Sequence, residues 1–381
     1  MKLLLAEKPL QSARTVSVQR ATAERAFAVR HFELLLSACV VLILLLIVLH
    51  IAVGTLDFSM RQIVLALANQ PEEVLHRQVV WGLRLPRALV ALAAGGMLGL
   101  SGALLQTITR NPMAEPGLMG VSSGAVLAIV IFIVVGANGA IGEAADVGLS
   151  LPLVGMVGGL AEGLLVYALS YKRGIVSGAD PMRLVLVGVL VAGVTSALTS
   201  VVLLTANENL MMRIVYWTIG STSGRVWVHW HTIWPIALLA ILLGILSIGW
   251  ANALQLGDSV ARGLGVHVER VRLGLLAISA LLTAGAVAVV GPVGFIGLIG
   301  PHAARMVAGG DVRRLFPLSI VFTAVLLIAS DIVARTITIG WVGLMTGLDV
   351  PDTAGLPVGA VTALLGAPFF LFLLLKGRTA L

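Results

Sequence analysis

The chain has 381 residues, of which 59% are hydrophobic and only 11% charged, and its mean hydropathy is +1.04. A soluble domain carries ~45–50% apolar and ~25% charged residues, so a soluble globule is excluded and lipid is the solvent for most of the chain. The net charge of +7 comes from basic residues scattered between apolar runs, which is no nucleic-acid footprint, and runs such as LLLSACVVLILLLIVLHIAV lack the alternation of a membrane β-barrel strand.

In chain order, a basic tail at 1–31 holds Lys2, Lys8, Arg14, Arg20, Arg25 and Arg30 against Glu7 and Glu24. Such a flank before a first span belongs on the cytoplasmic side. The apolar run after it is too long for a cleaved signal peptide, and no small-residue cleavage site follows at the usual distance. One span takes ~20 apolar residues. Ten stretches qualify: Phe32–Gly54, Ala88–Ile108, Gly117–Val135, Leu149–Tyr171, Leu184–Thr205, Ile233–Leu254, Leu273–Val290, Val293–Val307, Pro317–Ala334 and Pro357–Leu375. They predict an all-α polytopic membrane protein with a single transmembrane domain over 32–376 and a short cytoplasmic end at 377–381. Thr55–Leu83 reads as an amphipathic surface helix or loop. Ala206–His231, with three tryptophans, reads as an interfacial or re-entrant piece.

Ten spans starting inside return the C-terminus to the cytoplasm. The 25 Lys and Arg then divide 18 to 7 in favour of the cytoplasmic segments, the outer seven being Arg61, Arg77, Arg84, Arg87, Arg213, Arg225 and Arg335. That asymmetry fits the positive-inside rule. The single cysteine, Cys39, excludes a disulfide framework or a cysteine metal site within one chain.

Three segments carry most of the information. Leu83–Ala125 contains Gly95, Gly96, Gly99 and Gly102 about one helical turn apart, which permits close helix approach, and then Asn111–Pro112 and Glu115–Pro116, which break the chain at a turn. Gly291–Pro317 is again glycine-rich, with Pro301–His302 inside a span. Asn252–Arg272 is polar, punctuated by Gly257, Gly263 and Gly265, and predicts one or two short cytoplasmic helices. In order, RLPR, QTITRNPMAEPGLMGVSSGA, LGDSVARGLGV, GPVGFIGLIGPHAAR, DIVAR and LPVGAVTALLGAPFF resemble the FecCD-type permease subunits of iron–siderophore, haem and vitamin B12 ABC importers. The resemblance covers nearly everything after about residue 30. It implies the type II ABC importer permease fold, with about ten helices per subunit, a second permease subunit (the same or a related chain), cytoplasmic ABC ATPase subunits and an extracytoplasmic substrate-binding protein. Three features depart from the pattern: Val312 stands where the family has His, Gly300 replaces a bulkier residue, and the outer segment Gly340–Gly355 is longer.

No G-x-x-x-x-G-K-[ST] loop is present, so ATP phosphates are not cradled here in the P-loop manner. The resemblance places the ATPase-coupling helices at Leu256–Val266, with Leu256, Gly257, Asp258, Ala261, Arg262 and Gly265 as their residues; an ordinary solvated loop is the alternative. It assigns Arg84, Arg87 and Arg335 to docking of the binding protein, a role suited to the bidentate guanidinium fork, against snorkelling to lipid headgroups. Met211, Met212, Tyr216 and Trp217 either line the outer mouth of a substrate path or pack and anchor. The turn Gly174–Pro181 sits where the family has a cytoplasmic gate. His302 reads as a structural hydrogen-bonding group rather than a haem ligand or proton site. Glu162 and Asp331 are the only intramembrane carboxylates; Asp331 precedes Arg335 by one turn and suits an ion pair, while Glu162 has no evident partner. No catalytic residue, metal site or cofactor is expected. The predicted function is a permease subunit of the plasma (inner) membrane that passes a ferric siderophore from a binding protein to the cytoplasm, driven by ATP hydrolysis on a separate chain. Haem or cobalamin is the alternative cargo, and an ion-coupled secondary transporter is the alternative mechanism.

Overall fold

The computed structural model describes residues 32–54, 56, 58–70, 72–137, 147–172, 178–179, 181–337 and 355–378. The basic tail at 1–31, the greater part of the turn at 174–181 and nearly all of the segment at 340–355 lie outside them, as do 379–381.

The regular structure among the described residues is helical, apart from one two-residue antiparallel ribbon that pairs Tyr171 with Ala179. The helices are α1 (Phe32–Ala52), α2 (Met60–Leu67), α3 (Val74–Arg77), α4 (Leu85–Thr109), α5 (Val121–Ala137), α6 (Val147–Ser170), α7 (Pro181–Leu203) and α8 (Glu208–Thr218). They continue as α9 (Trp227–Leu246), α10 (Ile248–Gln255), α11 (Asp258–Gly263), α12 (Val268–Val290), α13 (Ile296–Ala308), α14 (Val312–Thr336) and α15 (Val358–Arg378). All ten predicted apolar stretches are occupied by helix. Seven helical segments among the described residues are long and apolar enough to cross a membrane, and Val121–Gly136 of α5 and Val358–Leu373 of α15 are shorter apolar helical stretches.

α4 is the axis of the bundle. From Val90 to Ile108 it is buried almost without interruption, and α14, α12, α9 and α13 pack around it. Its glycines decide how closely they approach. A Cβ on Gly99 would strike the Ser319 carbonyl and the Thr323 side chain of α14, and one on Gly102 would strike the Gly297 carbonyl of α13. Small residues that let backbones touch replace the hydrophobic driving force that helices lack in lipid. Gly300, one of the departures from the family pattern, serves the same contact from the other side, because its Cβ would meet Thr323 Oγ1.

The entry to α4 is distorted for a definable reason. Pro86 offers no N–H, and its ring would clash with the carbonyl four residues back in a regular helix. The chain from Gln78 to Arg84 is instead π-helical, and Leu85 N–H bonds the Val80 carbonyl five residues earlier. The predicted surface piece at Thr55–Leu83 contains α2, whose Ser59 and Gln62 form a reciprocal capping box and whose Ile63 and Ala66 pack on Ile51 and Val80.

Two boundaries differ from the sequence reading. The stretch Ile233–Leu254 is two helices, because α9 starts at Trp227 and stops at Leu246. The Ser247 hydroxyl there donates to the Gly244 carbonyl at 2.6 Å and competes with the helical ladder. The Ala206–His231 piece correspondingly contains the capped helix α8 and the first turn of α9.

α13 has 13 residues, about 20 Å of helix, well short of a ~30 Å hydrocarbon core. It begins at depth after the non-helical Gly291–Gly294. Phe295 at its start has a φ of 63°, and its N–H donates to Glu115 Oε1. Broken backbone inside a membrane is tolerated where protein groups satisfy it, and Glu115 is that group. It shares its surroundings with Leu98 and Gly297, and Leu98 lies midway along α4. Glu115 thus lies beside the middle of α4, at a level along that helix comparable with Leu98, rather than beyond its end. In the sequence, Pro112 and Pro116 marked this segment only as a turn.

Candidate functional site

The two ends of the bundle carry the charge. At the end marked by Arg110, α4 finishes with Arg110 in the left-handed region, φ 51°. Its guanidinium donates to the Leu254 carbonyl at 2.7 Å and to Asp258 Oδ1 at 2.5 Å. Asp258 Oδ2 accepts from Arg272 Nη2 at 2.8 Å, and Arg272 Nη1 reaches Glu269 at 3.1 Å. One carboxylate thus ties α11 to the ends of α4 and α12. Partial burial pushes the Asp258 carboxyl up, but the hydrogen bonds and charges of Arg272 and Arg110 outweigh it and hold the group below the ordinary carboxylate range.

Glycine shapes the helix that Asp258 anchors. Gly257 enters α11 at φ 102° and Gly265 leaves it at φ 80°, where Val266 N–H bonds Ala261 O at 3.0 Å and Gly265 N–H bonds Arg262 O at 2.9 Å. This double closure is a Schellman cap, which favours glycine at its left-handed position. Ala261 faces inward, fully buried, while Val260 (49% exposed) on α11 and Leu256 (60%) and Leu264 (63%) beyond its two ends are exposed apolar residues. Arg262 reaches Glu269 at 3.7 Å. The six predicted residues are therefore brought together, and two more, Val260 and Leu264, join them. Nothing in the sequence set these two apart, because Val and Leu read as interior residues until their exposure is known. An exposed apolar group beside a polar rim marks an interaction surface.

At the Arg87 end, Arg84, Arg87 and Arg335 also converge, but their forks turn inward. Asp331 is fully buried. It accepts from Arg87 Nε at 2.9 Å and Nη2 at 2.6 Å, from Arg335 Nη2 at 3.1 Å and from Thr222 Oγ1. His50 Nε2 lies 2.7 Å from the same carboxylate. Arg335 Nη1 also caps α1 through the His50 and Val53 carbonyls. Arg84 donates to the Ile51 and Ala52 carbonyls at 2.7 and 3.0 Å and lies over the Phe58 ring. Arg87 keeps the largest opening, 19% of its side chain against 8% for Arg335. The Asp331–Arg335 ion pair expected from the sequence is present, enlarged by partners from α1, α4 and the loop before α9. Beside it, burial and the neighbouring Arg87 charge lower Arg225 to about 10.

The four candidate pathway residues sit on α8, capped by Asn207, and face different ways. Met212 (65% exposed) and Tyr216 (40%) share the outer face, and the Tyr216 hydroxyl donates to the Gly355 carbonyl at 3.3 Å. Trp217 packs inward beside Val287 and Ile214, and Met211 is half-buried. Glu162 has the partners that the sequence did not reveal. It accepts from Ser123 at 2.9 Å and hydrogen-bonds Thr195, while Gly120 and Gly124 leave the space that its side chain fills. His302 hydrogen-bonds the Pro112 backbone and packs edge-on against Phe369. Among the described residues no group of three or more His, Cys, Asp or Glu side chains is placed to hold a metal ion.

The described chain is a glycine-packed helical bundle with several helices long and apolar enough to cross a membrane, the architecture of a polytopic membrane protein. The chain belongs to the FecCD transport family, whose profile matches residues 42–376. It is 36% identical over 299 residues to the Fe(3+) dicitrate transport system permease protein FecC of Escherichia coli, covering 78% of this chain and 83% of that one. It is 34% identical over 351 residues to the hemin transport system permease protein HmuU of Yersinia pestis, covering 88% and 95%. A solved metal-chelate-type ABC transporter chain in an inward-facing conformation superposes with a TM-score of 0.73 at 28% identity, covering 91% of this chain and 99% of that one. The protein is accordingly an ABC importer permease, an all-helical multi-pass membrane protein.

Proposed function

We propose that this permease carries a ferric siderophore, handed over by an extracytoplasmic binding protein, into the cytoplasm of a cell bounded by the plasma (inner) membrane. ATP hydrolysis on separate ABC ATPase subunits drives the transfer, and a second permease subunit completes the path. The observation that carries the mechanism is the exposed apolar group of Val260 on α11 with Leu256 and Leu264 at its two ends, on a segment locked by glycine and by Asp258. A short, rigid segment with an exposed apolar group seats in a groove and moves as a unit when that groove closes. On this reading the Arg110 end faces the cytoplasm, as do the N- and C-termini expected from the charge asymmetry of the sequence. The Arg87 end then receives the binding protein, with Arg87 as the contact and Arg84 and Arg335 bracing it, and Met212 and Tyr216 stand at the outer mouth.

The cargo reading is supported by the relatives, since the 36% identical E. coli protein is a ferric dicitrate permease. Haem is the second reading, favoured by the coverage of the Y. pestis hemin permease, 88% of this chain. Purified permease, ATPase and binding protein in proteoliposomes should accumulate a ferric siderophore only with ATP inside the compartment that holds the ATPase. Accumulation without any ATPase chain would point instead to an ion-coupled carrier.

A further inference from the structure

The described surface contains one elongated apolar cleft that the transport reading does not use. It lies between α6 and α12 in the half of the bundle nearer Arg110, has a volume of about 230 Å³ and reaches from Leu273 to Thr283, about 15 Å along the helix axis. Its walls are Leu160 and Gly163 of α6 with Leu276 and Ala280 of α12, and its floor is Leu105 and Met119. An apolar cavity of about 150 Å³ already stays dry and takes up a hydrocarbon. Of the three hydroxyls in the lining, the two in its depth are committed elsewhere: Thr283 Oγ1 and Ser279 Oγ lie 2.6 and 2.8 Å from Ser101 Oγ, and the third, on Tyr167, belongs to the end nearer Leu273. Away from Tyr167 the space therefore suits hydrocarbon.

Its rim is open. Leu164 is 62% and Leu273 39% exposed, both on spans that lipid surrounds, so the slot runs parallel to neighbouring acyl chains. One turn beyond Leu273, on the same stripe of α12, is Arg270, which is exposed and has no carboxylate partner among the described residues. The adjacent Glu269 is already taken by Arg272 and Arg262. Tyr167 lines the cleft at that end, as suits an aromatic ring at a membrane interface. Hydrocarbon slot, interfacial ring and unpaired cation follow one another along a single line.

We infer that this cleft is a binding site for one phospholipid of the surrounding bilayer with an anionic headgroup, an acyl chain lying in the slot and the phosphate on Arg270. Gly163 keeps the slot open, since a Cβ there would meet only Val121 at 3.3 Å and Ala280 at 3.6 Å, and a longer side chain would extend into the space. The site is independent of which ligand is transported.

The test is native mass spectrometry of the intact transporter released from nanodiscs that contain equal phosphatidylglycerol and phosphatidylcholine with identical chains. One phospholipid should stay with each permease chain, phosphatidylglycerol preferred about fivefold, the effect of one arginine on an anionic headgroup. Gly163→Leu should abolish retention. Arg270→Gln, an exposed change that leaves folding intact, should keep the lipid and lose the preference. Wild-type retention in Gly163→Leu, or equal retention of the two lipids by the wild type, overturns the site. So does disulfide crosslinking of two permease chains through Leu164→Cys, which would make the cleft a subunit contact.

Discussion

Asp331 shows how few residues fix the Arg87 end. A carboxylate buried with Arg87, Arg335 and His50 around it is tolerable only because each charge has a partner. Asp331→Asn leaves the cations facing one another and should cost about 3–5 kcal/mol, the range for breaking a buried pair, read as a lowered unfolding temperature in detergent. The Arg335 partner was legible, because four residues is one helical turn. His50 and Arg87 were not, since 281 and 244 residues separate them from Asp331 and only the fold closes that distance. Asp258 has the opposite exposure and a different signature. Its pKa is depressed, so its contribution is present above the ordinary carboxylate value and lost as pH falls through the lower folded one. Amide-exchange protection of α11, corrected for intrinsic rates, should hold from pH 8 to 5 and fall only below about pH 4. Loss already between pH 7 and 5 would show that another group braces the helix.

Among the elements, α4 and α13 were legible to different degrees. The glycines of α4 announced close packing, and the structure supplies their contacts in α13 and α14. Gly102→Val should displace α13 and lower folded yield. A cost of about 1–3 kcal/mol is typical of overpacking, and it should be measurable as a shift in thermal unfolding. The depth at which α13 starts was hidden, because it depends on Glu115 reaching Phe295 across 180 residues. α11 was legible as a short punctuated helix, but the exposed apolar group on and around it was not, since Leu256, Val260 and Leu264 look like ordinary interior residues until their burial is known. Gly265 has open space around it, so the cost of Gly265→Leu is conformational: φ of 80° penalises a side chain by about 1–2 kcal/mol. ATP-driven uptake should drop while membrane insertion stays normal. Leu264→Asp should weaken association with the ATPase in a pull-down from detergent, with the permease itself unchanged in unfolding temperature.

At the scale of the whole molecule, composition excluded a soluble protein and hydropathy found the ten apolar stretches, while function came from motif order and from the two charged ends. The low charge content concentrates meaning. Arg110, Asp258 and Arg272 meet at one end, and Arg87, Asp331 and Arg335 at the other, with a bundle of apolar and small residues between. In the proposed transport cycle a conformational signal passes from end to end through helices that shift as packed bodies, and the close glycine contacts along α4 are the interfaces such shifts would use. Substrate-stimulated ATP hydrolysis in proteoliposomes, with permease, ATPase and binding protein present, measures that coupling directly. Binding protein loaded with a ferric siderophore should raise hydrolysis above the unloaded control, where haem and cobalamin should not, and Gly265→Leu should abolish the rise. Stimulation by haem or cobalamin alone would contradict the cargo, and siderophore uptake with no ATPase present would contradict the mechanism.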